Sequence, residues 1–190
     1  MGKLVVTEFI TVDGVFEDPG GAEQFEHGGW AFKFDRGPDG DLFKLEELRA
    51  ADAHLLGRRT YEGFARAWPK MGGNEFGDKM NSFPKHVVTS SPLEPQWENS
   101  HVLEGELADG VSALKDRYDG DVLVAGSGTL VRALSALGLV DEYRLMVFPV
   151  LLGSGRRLFG ETGAPRALRL LEARPAGACQ ILTYASAASD

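Results

Sequence analysis

The pattern of hydrophobic and polar positions predicts strands that alternate with helices over the first 140 residues. Segment 3–12 is rich in β-branched and aromatic residues, which predicts a first strand, and Asp13-Gly14 after it is typical of a turn. Further strands are predicted near 54–57, 85–89, 101–105, 121–125, 142–150, 166–174 and 178–185. Helices are predicted near 41–52, from 58 or 60 to 67, and near 107–118 and 130–137, with loops at 15–40 and 69–84.

The order of these elements indicates an α/β fold. Strands that alternate with helices imply βαβ crossovers and a mostly parallel sheet buried on both faces, whereas the consecutive strands after residue 140 imply an antiparallel edge. In the first long helix, Leu42, Leu45 and Leu48 share one predicted face, and Asp41 is a candidate N-cap. With 190 residues and no composition break, we expect a single domain over 1–190.

Composition and charge exclude several classes of function. The net charge of −8 argues against nucleic acid or an anionic membrane as the main partner. The single cysteine, Cys179, excludes an internal disulfide and a cysteine-based zinc site, and the four scattered histidines make a metal site improbable. The N-terminus lacks a signal-peptide pattern and no apolar run approaches membrane-spanning length, so we expect a soluble, cytoplasmic protein.

The strongest local motif is Gly126-Ser127-Gly128-Thr129, between the predicted strand 121–125 and a helix. Two glycines permit close approach of a ligand, and the helix start offers free N–H groups and a positive dipole end, which suit a pyrophosphate. A tight turn with a hydroxyl cap is an equally good interpretation of the motif alone. Val131 occupies the third glycine position of the dinucleotide fingerprint, so an ordinary Rossmann site is excluded.

Two further motifs lie at the ends of predicted strands. Gly57-Arg58-Arg59-Thr60 places two guanidinium groups and a hydroxyl at a helix start, which can hold a phosphate, although arginine pairs are more often solvated surface groups. Segment 89–91, Thr-Ser-Ser, suits a ligand crevice at the end of a strand but is also a common loop composition. The sequence contains no nucleophile elbow and no HExxH motif.

In this order, the motifs resemble the dihydrofolate reductase-like superfamily, and most closely its riboflavin-biosynthesis branch, the RibD C-terminal reductase domain. The matching segments are FITVDGV at 9–15, ADAHLLGRRTYEGFA at 51–65, KHVVTSS at 85–91 and the long stretch 122–159, and the resemblance extends over nearly the whole chain. The resemblance implies a dihydrofolate reductase-like three-layer fold with a mostly parallel central sheet and antiparallel C-terminal edge strands.

The resemblance also implies a coenzyme, NADPH, and the residues that bind it. Arg58, Arg59 and Thr60 would hold the 2′-phosphate side, Ser90 and Ser91 the adenosine. The glycine-rich turn would hold the pyrophosphate, and Thr11, Asp13 and Gly14 would fall near the site of hydride transfer. The full expected coenzyme-binding set is Thr11, Gly14, Gly57, Arg58, Arg59, Thr60, Thr89, Ser90, Ser91, Gly126, Ser127, Gly128, Thr129 and Leu130.

Candidates for the substrate side are fewer. Asp41 falls, by an ungapped count from Gly57, where true dihydrofolate reductases carry a pterin-binding acid, and Asp13 is a second acidic candidate; Asp41 as a simple helix cap is the favoured alternative. Aromatic residues of the long loop can stack on a heterocycle or pack in the core, namely Trp30, Phe32 and Phe34. A substrate phosphate can be bound by Gly153, Ser154 and Gly155 with Arg156 or Arg157, which are otherwise surface residues.

These observations support two functions of different classes. The first is an NADPH-dependent reductase of a pyrimidine- or pterin-like small molecule, formally similar to the reductase that converts the ribosylamino group of 5-amino-6-(5-phosphoribosylamino)uracil in riboflavin biosynthesis. The second is a non-catalytic NADP(H)-binding or interaction protein on the same fold. We also expect a homodimer, because strands 142–150 and 178–185 are apolar enough to form a paired edge.

Overall fold

An eight-stranded sheet forms the centre of the computed structural model, which describes residues 1–160 and 165–187. The strands are β1 Leu4–Thr11, β2 Ala51–Gly57, β3 Lys85–Val88, β4 Ser100–Val102, β5 Asp121–Ala125, β6 Glu142–Phe148, β7 Leu168–Ala176 and β8 Cys179–Ser186. The helices are α1 Gly37–Ala50, α2 Arg58–Ala67, α3 Glu75–Ser82, α4 Leu107–Arg117 and α5 Gly128–Ala136, with 3-10 turns at Trp30–Lys33 and Trp68–Lys70.

The strand order is β4-β3-β2-β5-β1-β6-β8-β7. All neighbours from β4 to β6 pair in parallel, and β8 pairs antiparallel with both β6 and β7. Helices cover both faces of the parallel part. The predicted α/β class, with a mostly parallel sheet and an antiparallel C-terminal edge, is confirmed.

The core lies on both sides of the sheet, which explains why β1 is an almost continuous apolar run. Leu4 and Val6 belong to a cluster that extends under α4 and α5, whereas Val5, on the opposite face, packs with residues of α1, α2 and α3. A third cluster around Phe148 and Ile181 joins the antiparallel strands to the 3-10 turn at Trp30–Lys33.

The first long helix differs from its predicted form. It begins at Gly37, with Pro38 in its first turn, so Asp41 lies inside the helix and is not its N-cap. Its buried face carries Phe43, Glu47 and Leu48, whereas Leu42 is exposed, because the sheet contacts a face rotated from the leucine stripe.

The predicted loop 69–84 contains α3. Asn74 caps this short helix by accepting a hydrogen bond from the Gly77 backbone N–H at 3.0 Å. Met80, one turn further on, is buried in the same cluster against which Phe76 packs. Tertiary packing therefore stabilises a helix whose glycine-rich flanks are typical of a loop.

The strands expected to form a free edge, 142–150 and 178–185, do not lie at the edge of the sheet. Both β6 and β8 have strand partners on each side, so neither is free to pair with another molecule. The sheet ends at β7, whose side chains are almost all exposed, including Leu168, Leu170 and Leu171. Within the described residues, no helix combines the length and apolar character needed to cross a bilayer.

The pairing between β1 and β5 stops before β1 ends. The pairing of β1 with β5 ends at Thr7 and Ala125, while β1 continues beside β6 as far as Thr11 and Phe148. The carboxyl ends of β1 and β5 therefore diverge. A gap between neighbouring parallel strands at this end is where open α/β sheets bind ligands.

Candidate functional site

A cleft of about 1010 Å³ opens along the carboxyl ends of β1, β2, β3 and β5. This volume is at the upper end of the range for small-molecule sites, about 300–1000 Å³. Twelve of the fourteen predicted coenzyme-binding residues line the cleft together: Gly57, Arg58, Arg59, Thr60, Thr89, Ser90, Ser91, Gly126, Ser127, Gly128, Thr129 and Leu130.

The turn between β5 and α5 adopts a backbone that favours glycine. Gly126 and Ser127 both have positive φ angles, 59° and 55°, and a left-handed conformation at serine is strained. A Cβ on Gly126 would lie 2.9 Å from Thr60 Cγ2, and one on Gly128 would lie 2.2 Å from Phe16 Cζ. Gly126 is therefore required by its backbone conformation and by packing against Thr60, and Gly128 by packing against Phe16.

Two hydrogen bonds join this turn to the start of α2. The Ser127 backbone N–H donates to Thr60 Oγ1 at 2.8 Å, and the Gly57 backbone N–H donates to Ser127 Oγ at 2.9 Å. The two predicted anion-binding motifs thus form one continuous wall. The unpaired N–H groups of the first turn of α5 give this wall a positive end.

Arg58 is held at the outer end of the wall. Its Nε pairs with Glu62 Oε1 at 2.8 Å, and its Nη1 donates to Ser91 Oγ at 2.6 Å and to the Pro92 carbonyl at 3.2 Å. These bonds bring α2 and the segment after β3 together around one guanidinium group. A half-exposed arginine beside a serine hydroxyl can bind a phosphate group.

Arg59 points to the opposite side, toward the long loop between β1 and α1. Its Nη2 lies 3.0 Å from Glu23 Oε2, and the same oxygen accepts a hydrogen bond from Arg156 Nη2 at 2.8 Å. Arg156 also pairs with Glu17 through Nε at 2.8 Å. A loop carboxylate thus lies between two guanidinium groups at the rim of the cleft, where an anionic ligand would also bind.

The floor of the cleft contains a buried polar cluster that the sequence did not predict. Thr7 Oγ1 donates to Glu47 Oε1 at 2.9 Å and accepts a hydrogen bond from Lys44 Nζ at 2.6 Å. Lys44 Nζ also lies 2.5 Å from Glu47 Oε2. The ion pair of Lys44 and Glu47 thus lies between β1 and α1, and Lys44 Nζ lies over the aromatic ring of Phe9, 5.3 Å from its centre.

Two further buried titratable groups line the cleft. Burial raises the pKa of Glu8 well above its ordinary value, against the smaller opposing effects of Lys44 and the Gly126 backbone N–H. Burial also lowers the pKa of His54 to about 3, with Lys85 and Lys44 acting in the same direction. The His54 ring is therefore uncharged at neutral pH, and burial favours the protonated form of Glu8. Glu8 Oε1 and His54 Nδ1 have no hydrogen-bond partner among the described residues.

Weak sequence signals for these groups do exist. Glu8 interrupts a strand that is otherwise β-branched and aromatic, and Lys44 and Glu47 are spaced i, i+3 in a helix. A charged residue in the middle of a predicted core strand is an uncommon feature that calls for a functional explanation.

The turn after β1 does not enter the cleft, contrary to the expectation for Thr11, Asp13 and Gly14. Thr11 Oγ1 donates to Asp13 Oδ1, and the Asp13 carboxylate accepts hydrogen bonds from the backbone N–H groups of Leu152 and Gly153, the latter at 2.9 Å. The bond from Thr11 lowers the pKa of Asp13, with smaller contributions from the two backbone groups. Asp13 is therefore ionised, joins two loops by hydrogen bonds, and is unsuited to donate a proton.

Asp41 lies at the mouth of the cleft, and its side chain is 66% exposed. It pairs with Arg36 Nε at 2.6 Å. An exposed, ion-paired carboxylate does not match the buried acid that the ungapped count suggested. The buried carboxylate on α1 is instead Glu47, two turns further along the helix.

The loop aromatics divide between core and cleft. Trp30 is 1% exposed, donates its indole N–H to the Glu17 carbonyl at 2.8 Å and packs edge-on against Phe148, so it belongs to the core and does not line the cleft. Phe32, which is 82% exposed, and the half-buried Phe34 line the cleft.

The segment after β6 lies outside the cleft except for Arg156. Gly153, Ser154 and Gly155 are exposed and do not contribute to the lining. Arg157 donates from Nε to the Asp13 carbonyl at 2.9 Å. Arg156 and Arg157 both bind protein groups, and the phosphate site at 153–157 stays a prediction.

Comparison with known proteins identifies relatives over almost the whole length. The family model of the RibD C-terminal domain matches residues 2–182. The chain is 26% identical over 192 residues to the uncharacterized protein YyaP of Bacillus subtilis strain 168, and the match covers 96% of this chain and 94% of YyaP.

Two solved structures show the same fold. A Shewanella sp. PV-4 protein whose given name suggests riboflavin biosynthesis matches with a TM-score of 0.77 and 20% identity, over 97% of this chain and 99% of that one. Dihydrofolate reductase from Enterococcus faecalis, complexed with NADP(H), matches with a TM-score of 0.53 and 15% identity, over 97% and 96% of the two chains. At these identities the likeness establishes the fold, and the site must be interpreted from its own residues.

Proposed function

The chain belongs to the RibD C-terminal domain family, and from this premise we propose that it is an NADPH-dependent reductase of a pyrimidine- or pterin-like small molecule. The observation that carries the proposal is the convergence of the three predicted motifs, at β2, β3 and β5, on one cleft. A dinucleotide is long enough to contact all three turns, whereas a single phosphate would need only one.

The residues fit the coenzyme part by part. The turn at Gly126–Thr129 lines the cleft and presents the start of α5, as a pyrophosphate site requires. Arg58 with Ser91 would hold the 2′-phosphate, and Arg59 would add a second positive charge. The bound coenzyme would supply a hydride from its nicotinamide ring, and the protein would supply position and electrostatics.

The gap between β1 and β5 would hold the reactive end of the ligands. Thr7, Glu8 and Phe9 line the cleft at this point. Phe34 and Phe32 would face a planar heterocycle from the opposite loop, and Lys44 with Glu47 would offer polar contacts from α1. The mixture of apolar walls and a few buried polar groups is typical of a small-molecule site.

Kinetic assay with candidate heterocycles tests this proposal. The protein is mixed with NADPH and with pyrimidine or pteridine compounds that carry a reducible C=N or C=O bond, and coenzyme oxidation is followed by absorbance. We expect substrate-dependent oxidation of NADPH that is faster than that of NADH. Tight NADPH binding without turnover of any compound would favour the alternative, a non-catalytic NADP(H)-binding protein.

A further inference from the structure

Glu8 is a buried acid at the point where the sheet divides. It follows Thr7, the last residue of β1 that pairs with β5, and its only register partner is Leu145 of β6. The Glu8 side chain is buried and lines the cleft, and its Oε1 has no hydrogen-bond partner among the described residues. A buried oxygen without a hydrogen-bond partner destabilises the fold and so calls for a functional explanation.

The charges around Glu8 come from one element. Helix α1 contributes Lys44 and Glu47, which lie 2.5 Å apart; Lys44 lowers the pKa of Glu8, and Glu47 raises it by a smaller effect. The turn before α5 contributes the Gly126 backbone N–H, and β6 contributes the uncharged Leu145. Burial is the largest effect on Glu8 and raises its pKa well above the ordinary value, which favours the protonated carboxyl group.

We propose that Glu8 is the proton donor of the reductase, which delivers its carboxyl proton to the substrate when the hydride is transferred. This inference rests on the proposed function. Glu8 combines the three properties that the role needs: it lines the cleft, it lies in the gap between β1 and β5, and it has an oxygen that no protein group occupies.

The step balances in atoms and charge. The carbon of a C=N or C=O bond gains the hydride with its electron pair, and the nitrogen or oxygen gains the proton as the O–H bond of Glu8 breaks. The carboxylate that remains would carry a charge opposite to that of an oxidised nicotinamide ring bound in the same cleft. Glu8 then takes a proton from water in the open cleft, so each turnover consumes one NADPH and one proton.

The charge relationship gives a test that needs no substrate. NADP⁺ carries a cationic ring and NADPH a neutral one, so NADP⁺ should bind better to the protein with ionised Glu8. As pH rises, the ratio of the Kd for NADP⁺ to the Kd for NADPH should fall by up to about tenfold per pH unit in the range where Glu8 titrates. Titration of the 2′-phosphate is common to both forms and cancels in the ratio.

The measurement is isothermal titration calorimetry of both coenzymes from about pH 5 to about pH 9, with wild type, Glu8→Gln and Glu46→Gln. Glu46 is an exposed glutamate of α1 outside the cleft and serves as the matched control. The NADP⁺ titration is repeated in two buffers of different ionisation enthalpy to count the protons that wild type releases on binding. This count needs no variant, so the test remains valid even if Glu8→Gln folds poorly.

We expect proton release on NADP⁺ binding and a pH-dependent Kd ratio for wild type and Glu46→Gln, and a flat ratio for Glu8→Gln. A pH-independent ratio in wild type would overturn the role of Glu8 while leaving the coenzyme site intact. The same pH dependence in Glu8→Gln would assign the proton to another group and would also overturn it. Failure of wild type to bind either coenzyme would instead overturn the proposed function, and the role of Glu8 with it.

Discussion

Thr60 Oγ1 accepts a hydrogen bond of 2.8 Å from the backbone N–H of Ser127, 67 residues further along the chain. The bond holds Ser127 in a left-handed conformation and joins the starts of α2 and α5. The reciprocal bond, from the Gly57 N–H to Ser127 Oγ, makes the connection two-sided. These two hydrogen bonds therefore fix the wall of the candidate coenzyme site in the absence of a ligand.

Replacing Thr60 by valine should destabilise the protein and the site together. Thr60→Val conserves shape but leaves the Ser127 N–H without its acceptor, which costs about 1–3 kcal/mol. We expect a lower free energy of unfolding in urea and weaker NADPH binding. Thr183→Val is the matched control, because the buried Thr183 hydroxyl has no partner in the described part of the chain. Equal losses in the two variants would contradict the account.

In the proposed site, Glu23 would compete with the coenzyme phosphate for Arg59. Its carboxylate pairs with Arg59 and Arg156 at the rim of the cleft, so coenzyme phosphate must displace it or share the arginines. Because exposed ion pairs are worth about 0.2–1 kcal/mol, Glu23→Gln should tighten NADPH binding by about two- to fivefold. Glu26→Gln, an exposed change in the same loop, should have no effect. Weaker binding by Glu23→Gln would show that Glu23 supports the site.

His54 should make the fold sensitive to acid. Its pKa is about 3 in the folded protein and about 6.5 in the unfolded chain, so below pH 6.5 the unfolded state binds the extra proton. The free energy of unfolding should fall by up to about 1.4 kcal/mol per pH unit as pH decreases toward 5. The buried His86, with its pKa lowered to about 4, adds to this effect.

Urea unfolding at several pH values separates the contribution of His54. His54→Gln should flatten the acid-dependent slope, whereas His101→Gln, at an exposed position, should retain the slope of wild type. An unchanged slope in His54→Gln would mean that other groups control the acid response.

The exposed edge at β7 leads to a revised prediction for the oligomeric state. Leu168, Leu170 and Leu171 expose apolar surface on a strand with one unpaired side, and such an edge favours association. We expect light scattering to give about twice the monomer mass of 20.6 kDa, and Leu170→Lys to shift the protein toward monomer. Val12→Lys, at an exposed turn position, is the control. A monomeric wild type would contradict the prediction.

Local sequence patterns predicted the strand-turn-helix units well. The glycines at 57, 126 and 128 and the β-branched runs before them act within a few residues, so the turns could be located without knowledge of the fold. Helix α3 was missed because its stability depends on burial of Met80 against other elements, which no local pattern records.

The contacts at the floor and rim of the cleft could not be predicted from the sequence for the same reason. Glu8 and Glu47 are 39 residues apart in the chain, and their burial follows from the packing of α1 on β1. The contact between Arg59 and Glu23 crosses from α2 to the long loop. Counting alone made Asp41 a candidate for the buried acid, but the register of α1 on the sheet places Glu47 inside and leaves Asp41 exposed.

The most direct test of the coenzyme site compares NADPH with NADH in a variant that lacks both arginines. Arg58 and Arg59 would bind the phosphate that only NADPH carries, and hydrogen bonds to charged groups are worth about 1.5–3 kcal/mol. Calorimetry of Arg58→Ala/Arg59→Ala should show NADPH affinity reduced by about tenfold or more and NADH affinity little changed. An equal loss for both coenzymes, or no binding of either to wild type, would contradict the account.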